Sequence, residues 1–200
     1  MSELIYREDV HTYTHNNIRI PGISELLKYW GYIDDTFYTS EEPRDIGTAV
    51  HAGTSAFDKG EDSYQLFEDP RILKRIEAYM LFKTDKKFMP TIIELPQHSD
   101  ALALACRPDR VGYFAESSVP CIIDIKCGGE AKWHPLQTAG QQICIGDCRY
   151  YRRFGLYLRM DGTYKLKEHT DPTELALVQS LVALYWYNKN KGIKLKGETK

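Results

Sequence analysis

Pro108-Asp109, followed by Asp124-Ile125-Lys126 at the end of the apolar run Cys121-Ile122-Ile123, constrains this chain more than any other feature. Successive side chains of a strand point to opposite faces, so Ile123 and Ile125 can fill a core while Asp124 and Lys126 share the other face. Carboxylates at Asp109 and Asp124 on neighbouring strands can hold a hard divalent cation through oxygen, with the Ile125 carbonyl facing the same site. Cation and lysine ammonium then converge on one phosphate. Taken alone, Asp124 and Lys126 read more readily as a solvated strand end with a surface ion pair worth about 0–1 kcal/mol. The flanking segments favour the site.

Upstream, Arg44-Asp45-Ile46-Gly47-Thr48-Ala49-Val50-His51 opens a stretch in which Ile46, Val50, Gly53 and Phe57 recur at helical spacing. His51 sits beside that stripe, one turn after Gly47. Downstream, Trp133 to Cys148 reads as another helix, with Trp133, Leu136, Gly140 and Ile143 on its buried side. Gln137 and Gln141 lie one turn apart on an adjoining face.

In this order, Gly47-Thr48-Ala49-Val50-His51, Pro108-Asp109-Arg110-Val111-Gly112, Ile122-Ile123-Asp124-Ile125-Lys126 and a glutamine helix resemble the RecB-like branch of the PD-(D/E)XK nuclease superfamily. The match runs along roughly residues 44 to 145. The opening, His11 to Pro21 followed by Ile23-Ser24-Glu25-Leu26-Leu27, is similar to the start of compact phage and prophage exonucleases. The resemblance implies an α/β fold: one domain with a central mixed β-sheet flanked by helices, a restriction-endonuclease-like αβββαβ core. It implies Mg²⁺-dependent hydrolysis of DNA phosphodiester bonds, with Mn²⁺ as a substitute. A phage strand-annealing recombinase is the implied partner.

It also implies roles. Asp109 and Asp124 bind the metal with the Ile125 carbonyl, Lys126 orients the attacking water, and His51 lies near or on the metal. Glu94, in Ile92-Ile93-Glu94-Leu95, is similar to an acidic residue on the first core strand and joins the metal set. Gln137 and Gln141 are substrate contacts or second-layer support, and equally read as satisfied core amides. The chain departs from the pattern at one point, because Gln141 stands where a tyrosine usually follows four residues after Gln137. Tyr150 and Tyr151 come too late to substitute. Some relatives hold an iron–sulfur cluster with one early and three late cysteines, whereas the five here, at 106, 121, 127, 144 and 148, are all central and read as reduced, mostly buried thiols.

With 200 residues and 42% hydrophobic content the chain can bury one core. The expected division is an N-terminal hairpin, helix and loop over 1–43, a catalytic core over 44–170, and a C-terminal helix and tail over 171–200. No apolar run approaches the roughly 20 residues that span a bilayer, and the N-terminus lacks a signal-peptide layout, so the expected location is the bacterial or phage-infected cytoplasm. The formal charge of −2 leaves phosphate binding to local basic groups. Arg107 and Arg110 beside Asp109 are the first candidates for substrate binding, then Lys132, His134, Arg149, Arg152 and Arg153. Each is also what an ordinary solvated surface residue looks like.

Thr12 to Ile20 reads as a hairpin around Asn16-Asn17, and Ser24 as the N-cap of a short helix through Tyr29. Gly31 to Pro43 reads as a loop whose Tyr32, Phe37 and Tyr38 either stack on bases or pack the loop down. The pattern predicts a helix over 70–87 and strands near 91–96, 102–114 with a break near Pro108, and 119–126. It then predicts a hairpin at Asp161-Gly162 and a helix opened by Asp171-Pro172-Thr173-Glu174. Residues Lys189 to Lys200 read as a frayed tail. The rival to a nuclease is a non-catalytic nucleic-acid- or protein-binding member of the same fold, against which the intact Asp109, Asp124 and Lys126 speak.

Overall fold

The computed structural model describes residues 3–34, 42–63, 65–146 and 150–194, with backbone alone for 42–44. In chain order the elements are β1 (Leu4–Arg7), β2 (Thr12–His15), β3 (Ile18–Ile20), α1 (Ile23–Tyr29), α2 (Glu42–Asp58) and α3 (Pro70–Lys86). There follow β4 (Phe88–Ile93), β5 (Gln97–Ser99), β6 (Leu104–Cys106), β7 (Arg110–Phe114), β8 (Cys121–Lys126), α4 (His134–Ile145), β9 (Arg152–Leu158), β10 (Tyr164–Glu168) and α5 (Thr173–Lys191).

The central sheet has the order β10-β9-β8-β7-β4. β8 and β9 are parallel, and their crossover is made by α4; the other pairs are antiparallel. α3, β4, β7, β8, α4 and β9 therefore form the αβββαβ core, and the chain is a single-domain α/β fold with a mixed sheet between helices. On one face α2 and α3 bury Val50, Ile76, Tyr79 and Phe82 against Ile123, Ile125 and Leu156. On the other, α1, α4 and α5 pack Leu26, Leu27, Leu136, Ile143, Val178 and Val182 together with Leu104 of β6.

Two glycines set these distances. A Cβ at Gly53 would lie 2.4 Å from Ile76 Cδ1, so its absence lets α2 sit close on α3; one at Gly140 would lie 2.3 Å from Ile23 Cδ1, so α4 closes on α1 in the same way. Asp69 caps α3 by accepting the Arg71 N–H at 2.8 Å, with Pro70 at the first helical position. Asn16 and Asn17 both take positive φ, 49° and 65°, in the turn between β2 and β3. Asp171 Oδ1 accepts from the Thr173 N–H at 2.8 Å, although the helix itself starts one residue later than expected.

Several expectations need correction. The break expected near Pro108 is present, the chain leaving β6 at Cys106 and entering β7 at Arg110, but the two halves do not lie in one sheet. β6 pairs instead with β5 in a separate hairpin, docked on the N-terminal sheet where Ala105 N–H donates to the Pro21 carbonyl at 3.0 Å. β1, which had no distinct sequence signal, pairs along β2. Gly22 rather than Ser24 is the N-cap of α1. Helix α2 starts at Glu42, inside the stretch read as loop. α4 ends at Ile145, with Trp133 as its N-cap. α5 continues through Lys191, three residues into the stretch read as frayed tail. Phe37, Tyr38, Cys148 and Arg149 lie outside the described residues. No described helix is long and apolar enough to cross a membrane.

Candidate active site

β7 and β8 pair only as far as Arg110 and Ile123, so the last residues of β8 have a free edge toward the start of β7. Asp109 fills that gap. Its Oδ2 accepts the Ile125 N–H at 2.6 Å, and the Ile125 carbonyl belongs to the same strand edge. Glu94 follows β4 directly and is held there by its own N–H, which donates to the Asp109 carbonyl at 3.2 Å. Its backbone is left-handed, with φ of 49°, a conformation that costs a residue with a Cβ about 1–3 kcal/mol and concentrates at functional positions. The antiparallel turns thus bring Glu94, Asp109 and Asp124 to one end of the sheet. His51 reaches them from α2, with Nδ1 3.4 Å from Asp109 Oδ1 and 3.9 Å from Glu94 Oε1.

Asp124 is buried, 1% exposed. Gln141 Nε2 donates to its Oδ1 at 3.0 Å. Lys126 Nζ lies 2.7 Å from its Oδ2, an ion-pair distance but outside hydrogen-bond geometry, so Oδ2 is a buried carboxylate oxygen without a hydrogen-bond donor. The Lys126 ammonium also donates to Gln137 Oε1 at 2.8 Å and lies 5.0 Å from the centre of the Trp133 ring.

Burial pushes the Asp124 carboxyl above its ordinary range, and the negative Asp109 adds to this against the pull of Lys126. At Asp109 burial acts upward too, but His51 and Lys126 overcome it and hold the carboxyl down at about 2. Burial opposes charging His51, yet Asp109 and Glu94 outweigh it and raise its pKa. Crowded carboxylates, one of them facing the Lys126 ammonium through a buried oxygen, fit a hard divalent cation held through oxygen. The donor set would be Asp109, Asp124, Glu94 and the Ile125 carbonyl, with His51 at its margin.

Two grooves meet here. One, of about 1000 Å³, is walled by Glu94, Arg107, Asp109, Gln137 and Gln141, and the other, of about 730 Å³, by Ile125, Lys126, Trp133 and Arg75. His51 and Gly47 border both, and Tyr32, from the N-terminal loop, walls neither.

The basic residues divide sharply. Arg107 stands at the groove, 28% exposed, paired with Glu8 at 2.9 Å and 3.7 Å from Glu94. Arg110 does not reach it. Its guanidinium is fully buried, donating to Asp58 Oδ2 at 2.5 Å, Thr54 Oγ1 at 3.1 Å and the Asp109 carbonyl at 2.6 Å. It therefore supports the Asp109 backbone and is not placed to bind substrate.

Arg153 is likewise buried, paired with Glu174 at 2.9 Å. His134 is buried, and its Nδ1 accepts from the Ala131 N–H at 3.2 Å, so the ring is neutral; burial, then Lys126, pushes its pKa down to about 3. Neither carries charge to a phosphate. Arg152 is exposed but forks onto Glu168, and Lys132 is exposed. The described cysteines, 106, 121, 127 and 144, are free thiols.

Four contributors escaped the sequence reading. Asp58 and Thr54 brace Arg110, Trp133 lies beside the Lys126 ammonium, and Arg75 lines the second groove. Arg71 and Arg75 stand four residues apart on α3, which was the available signal, but the apolar stripe of that helix dominated it.

A scan against protein-family models finds no match, and neither does a search of curated proteins. Solved structures do match. A proposed exonuclease from Eubacterium rectale aligns with 87% of this chain and 82% of its own at 13% identity, with a TM-score of 0.54. An alkaline exonuclease from Laribacter hongkongensis covers 86% and 88% at 13% identity, with a TM-score of 0.49. A structure of that enzyme with dAMP covers 87% and 89% at 11% identity, with a TM-score of 0.45. The likeness to the Eubacterium rectale structure shows that the two chains share a fold.

Proposed function

We propose that the protein hydrolyses phosphodiester bonds of DNA with a bound divalent cation, Mg²⁺ or in its place Mn²⁺, and that it works as an exonuclease. The observation that carries this reading is the convergence of Glu94, Asp109, Asp124 and Lys126 at one end of the sheet, where two open grooves meet. The fold shared with a proposed exonuclease, and the phage-exonuclease resemblance of the N-terminal segment, support exonuclease over endonuclease action. The same resemblance supports a role in phage DNA recombination, repair or processing in the cytoplasm, beside a strand-annealing recombinase.

When bound, the cation polarises a phosphate oxygen and lowers the pKa of the attacking water. The protein's own groups do the rest. Asp109 and Asp124 are fixed by the Ile125 N–H and by Gln141, so the oxygens are placed before substrate arrives. Lys126, held by Gln137 Oε1, presents positive charge where negative charge grows as the water oxygen bonds to phosphorus and the P–O bond to the leaving nucleoside breaks. Arg107 at the groove wall is placed to meet a phosphate of the bound strand, in exchange for its contact with Glu8.

The test is incubation of the wild type and Lys126→Ala with Mg²⁺ or Mn²⁺ and single- or double-stranded oligonucleotides labelled at either end. Stepwise shortening by the wild type alone is expected and gives the polarity. Binding without cleavage in either metal would replace this reading with a non-catalytic DNA- or protein-binding role.

A further inference from the structure

Away from the carboxylate site, His15 at the end of β2, His98 in β5 and Asp100 just after β5 turn their side chains to one point. His98 Nε2 is 3.2 Å and His15 Nε2 3.3 Å from the same oxygen, Asp100 Oδ1. The two imidazole rings lie 4.2 Å apart, centre to centre, and all three ligand atoms fall within 4.8 Å of one another. We propose that His15, His98 and Asp100 form a second metal site, for a Zn²⁺-class cation, joining the N-terminal sheet to the β5–β6 hairpin.

Distance and donor type both support it. Ligand bonds of about 2.0–2.2 Å in a tetrahedron place neighbouring ligand atoms roughly 3.3 Å apart, which matches the two nitrogen–oxygen separations. A turn of the His98 ring, on a short hairpin near the surface, closes the third edge. His15 is mostly buried, its side chain 12% exposed, and its Nε2 is a buried nitrogen that meets Asp100 Oδ1 at ion-pair distance but outside hydrogen-bond geometry. A nitrogen in that position pays a desolvation cost unless something takes its lone pair or proton, and a cation at the shared point does so.

Two imidazoles and one carboxylate are the donors of zinc and its transition-metal neighbours, whereas Mg²⁺ prefers oxygen. This site is therefore chemically distinct from the oxygen-rich one at Asp109 and Asp124. Asp100 is 70% exposed, so the fourth position is open to water.

The site's place in the fold gives it a use. The β5–β6 hairpin is anchored to the N-terminal sheet by the Ala105–Pro21 hydrogen bond and the Gly22–Ala105 bridge. A cation at His15, His98 and Asp100 adds a second tie on the neighbouring strand, where His98 pairs across from Ala105. The strand it steadies, β6, leads directly into Arg107 and Asp109.

The experiment is titration of metal-stripped protein with Zn²⁺ by calorimetry and with Co²⁺ by visible absorption, on the wild type, His98→Gln, Asp100→Asn and Asp124→Asn. His98 and Asp100 are the more exposed ligands, so their variants should fold, checked by thermal unfolding without metal. The expected result is one equivalent of Zn²⁺ beyond any held by the carboxylate site, an intense four-coordinate Co²⁺ spectrum and a Zn²⁺-induced rise in Tm, all lost in His98→Gln and Asp100→Asn and all kept in Asp124→Asn. Stoichiometry and spectrum unchanged in His98→Gln, or lost only in Asp124→Asn, would overturn the proposal by placing the ion at the carboxylate site. This readout does not depend on nuclease activity, so it stands or falls separately from the proposed function.

Discussion

Gln141 and Asp124 are joined across the interface between α4 and β8 by a 3.0 Å hydrogen bond from the amide Nε2 to Oδ1, with both side chains about 1% exposed. That bond orients the carboxylate so that Oδ2 faces Lys126. Gln141 therefore supports the proposed metal ligand while bordering the groove. Replacing Gln141 with Leu should weaken Mg²⁺ binding by about 10–100-fold, the usual effect of losing an outer-layer partner of a ligand. Activity measured against Mg²⁺ concentration would show this as a right-shifted curve that recovers at high metal. A curve that keeps its midpoint and loses only its plateau would contradict the assignment.

Lys126 and Gln137 predict a different signature. The Gln137 amide oxygen holds the ammonium at 2.8 Å and touches no carboxylate of the proposed metal set. Lys126→Ala should lower the cleavage rate by about 10²-fold or more, as for other preorganised electrostatic donors. Gln137→Ala should lower it less, with the Mg²⁺ midpoint nearly unmoved. Rates at saturating metal check both, and undiminished cleavage by Lys126→Ala would sink the role given to this lysine.

The sheet end that carries these groups was legible in the sequence because Ile123 and Ile125 alternate with Asp124 and Lys126, and burial enforces that register. The helices on either side were legible from Ile46, Val50 and Phe57 and from Leu136 and Ile143, whose spacing is set by the core they cover. The β5–β6 hairpin was not. Gln97-His98-Ser99 has no apolar alternation, and its pairing with Leu104–Cys106 is a tertiary choice made where β6 docks on Pro21. Arg110 was misplaced for a related reason. An arginine next to a ligand aspartate has the same local sequence whether it faces a groove or the core, and only the acid at Asp58, from α2, decides.

That buried pair carries a stability prediction. Asp58 accepts from Arg110 Nε at 2.5 Å, Tyr79 Oη at 2.5 Å and Lys83 Nζ at 2.7 Å, and neither the Asp58 nor the Arg110 side chain is exposed. Removing Arg110 leaves the buried Asp58 with Lys83 and Tyr79 alone, which costs less than the roughly 3–5 kcal/mol of a buried charge left with no partner but still takes away its closest cation. Arg110→Met should therefore lower the urea midpoint substantially, and because Arg110 also holds the Asp109 carbonyl it should weaken metal binding in whatever fraction stays folded. A variant as stable as the wild type would mean that the Asp58 cluster re-pairs without it.

Acid should destabilise the fold through two buried histidines that are not among the proposed metal ligands. His134 and His169 are both buried. Desolvation, with Lys126 acting on the first and Arg153 on the second, holds their pKa values at about 3 and about 4 against an ordinary 6.5. Above pH 6.5 each is neutral folded and unfolded, so neither affects stability. As pH falls below 6.5 the unfolded chain takes up protons that the folded chain refuses, and stability drops until the folded pKa is passed. At pH 5 the loss is at most about 2 kcal/mol per histidine. Urea unfolding at pH 7.5 and pH 5 should show the drop. His134→Gln, which keeps an acceptor for the Ala131 N–H, should remove roughly half of this histidine contribution. An identical pH slope in that variant would assign the acid sensitivity to other groups.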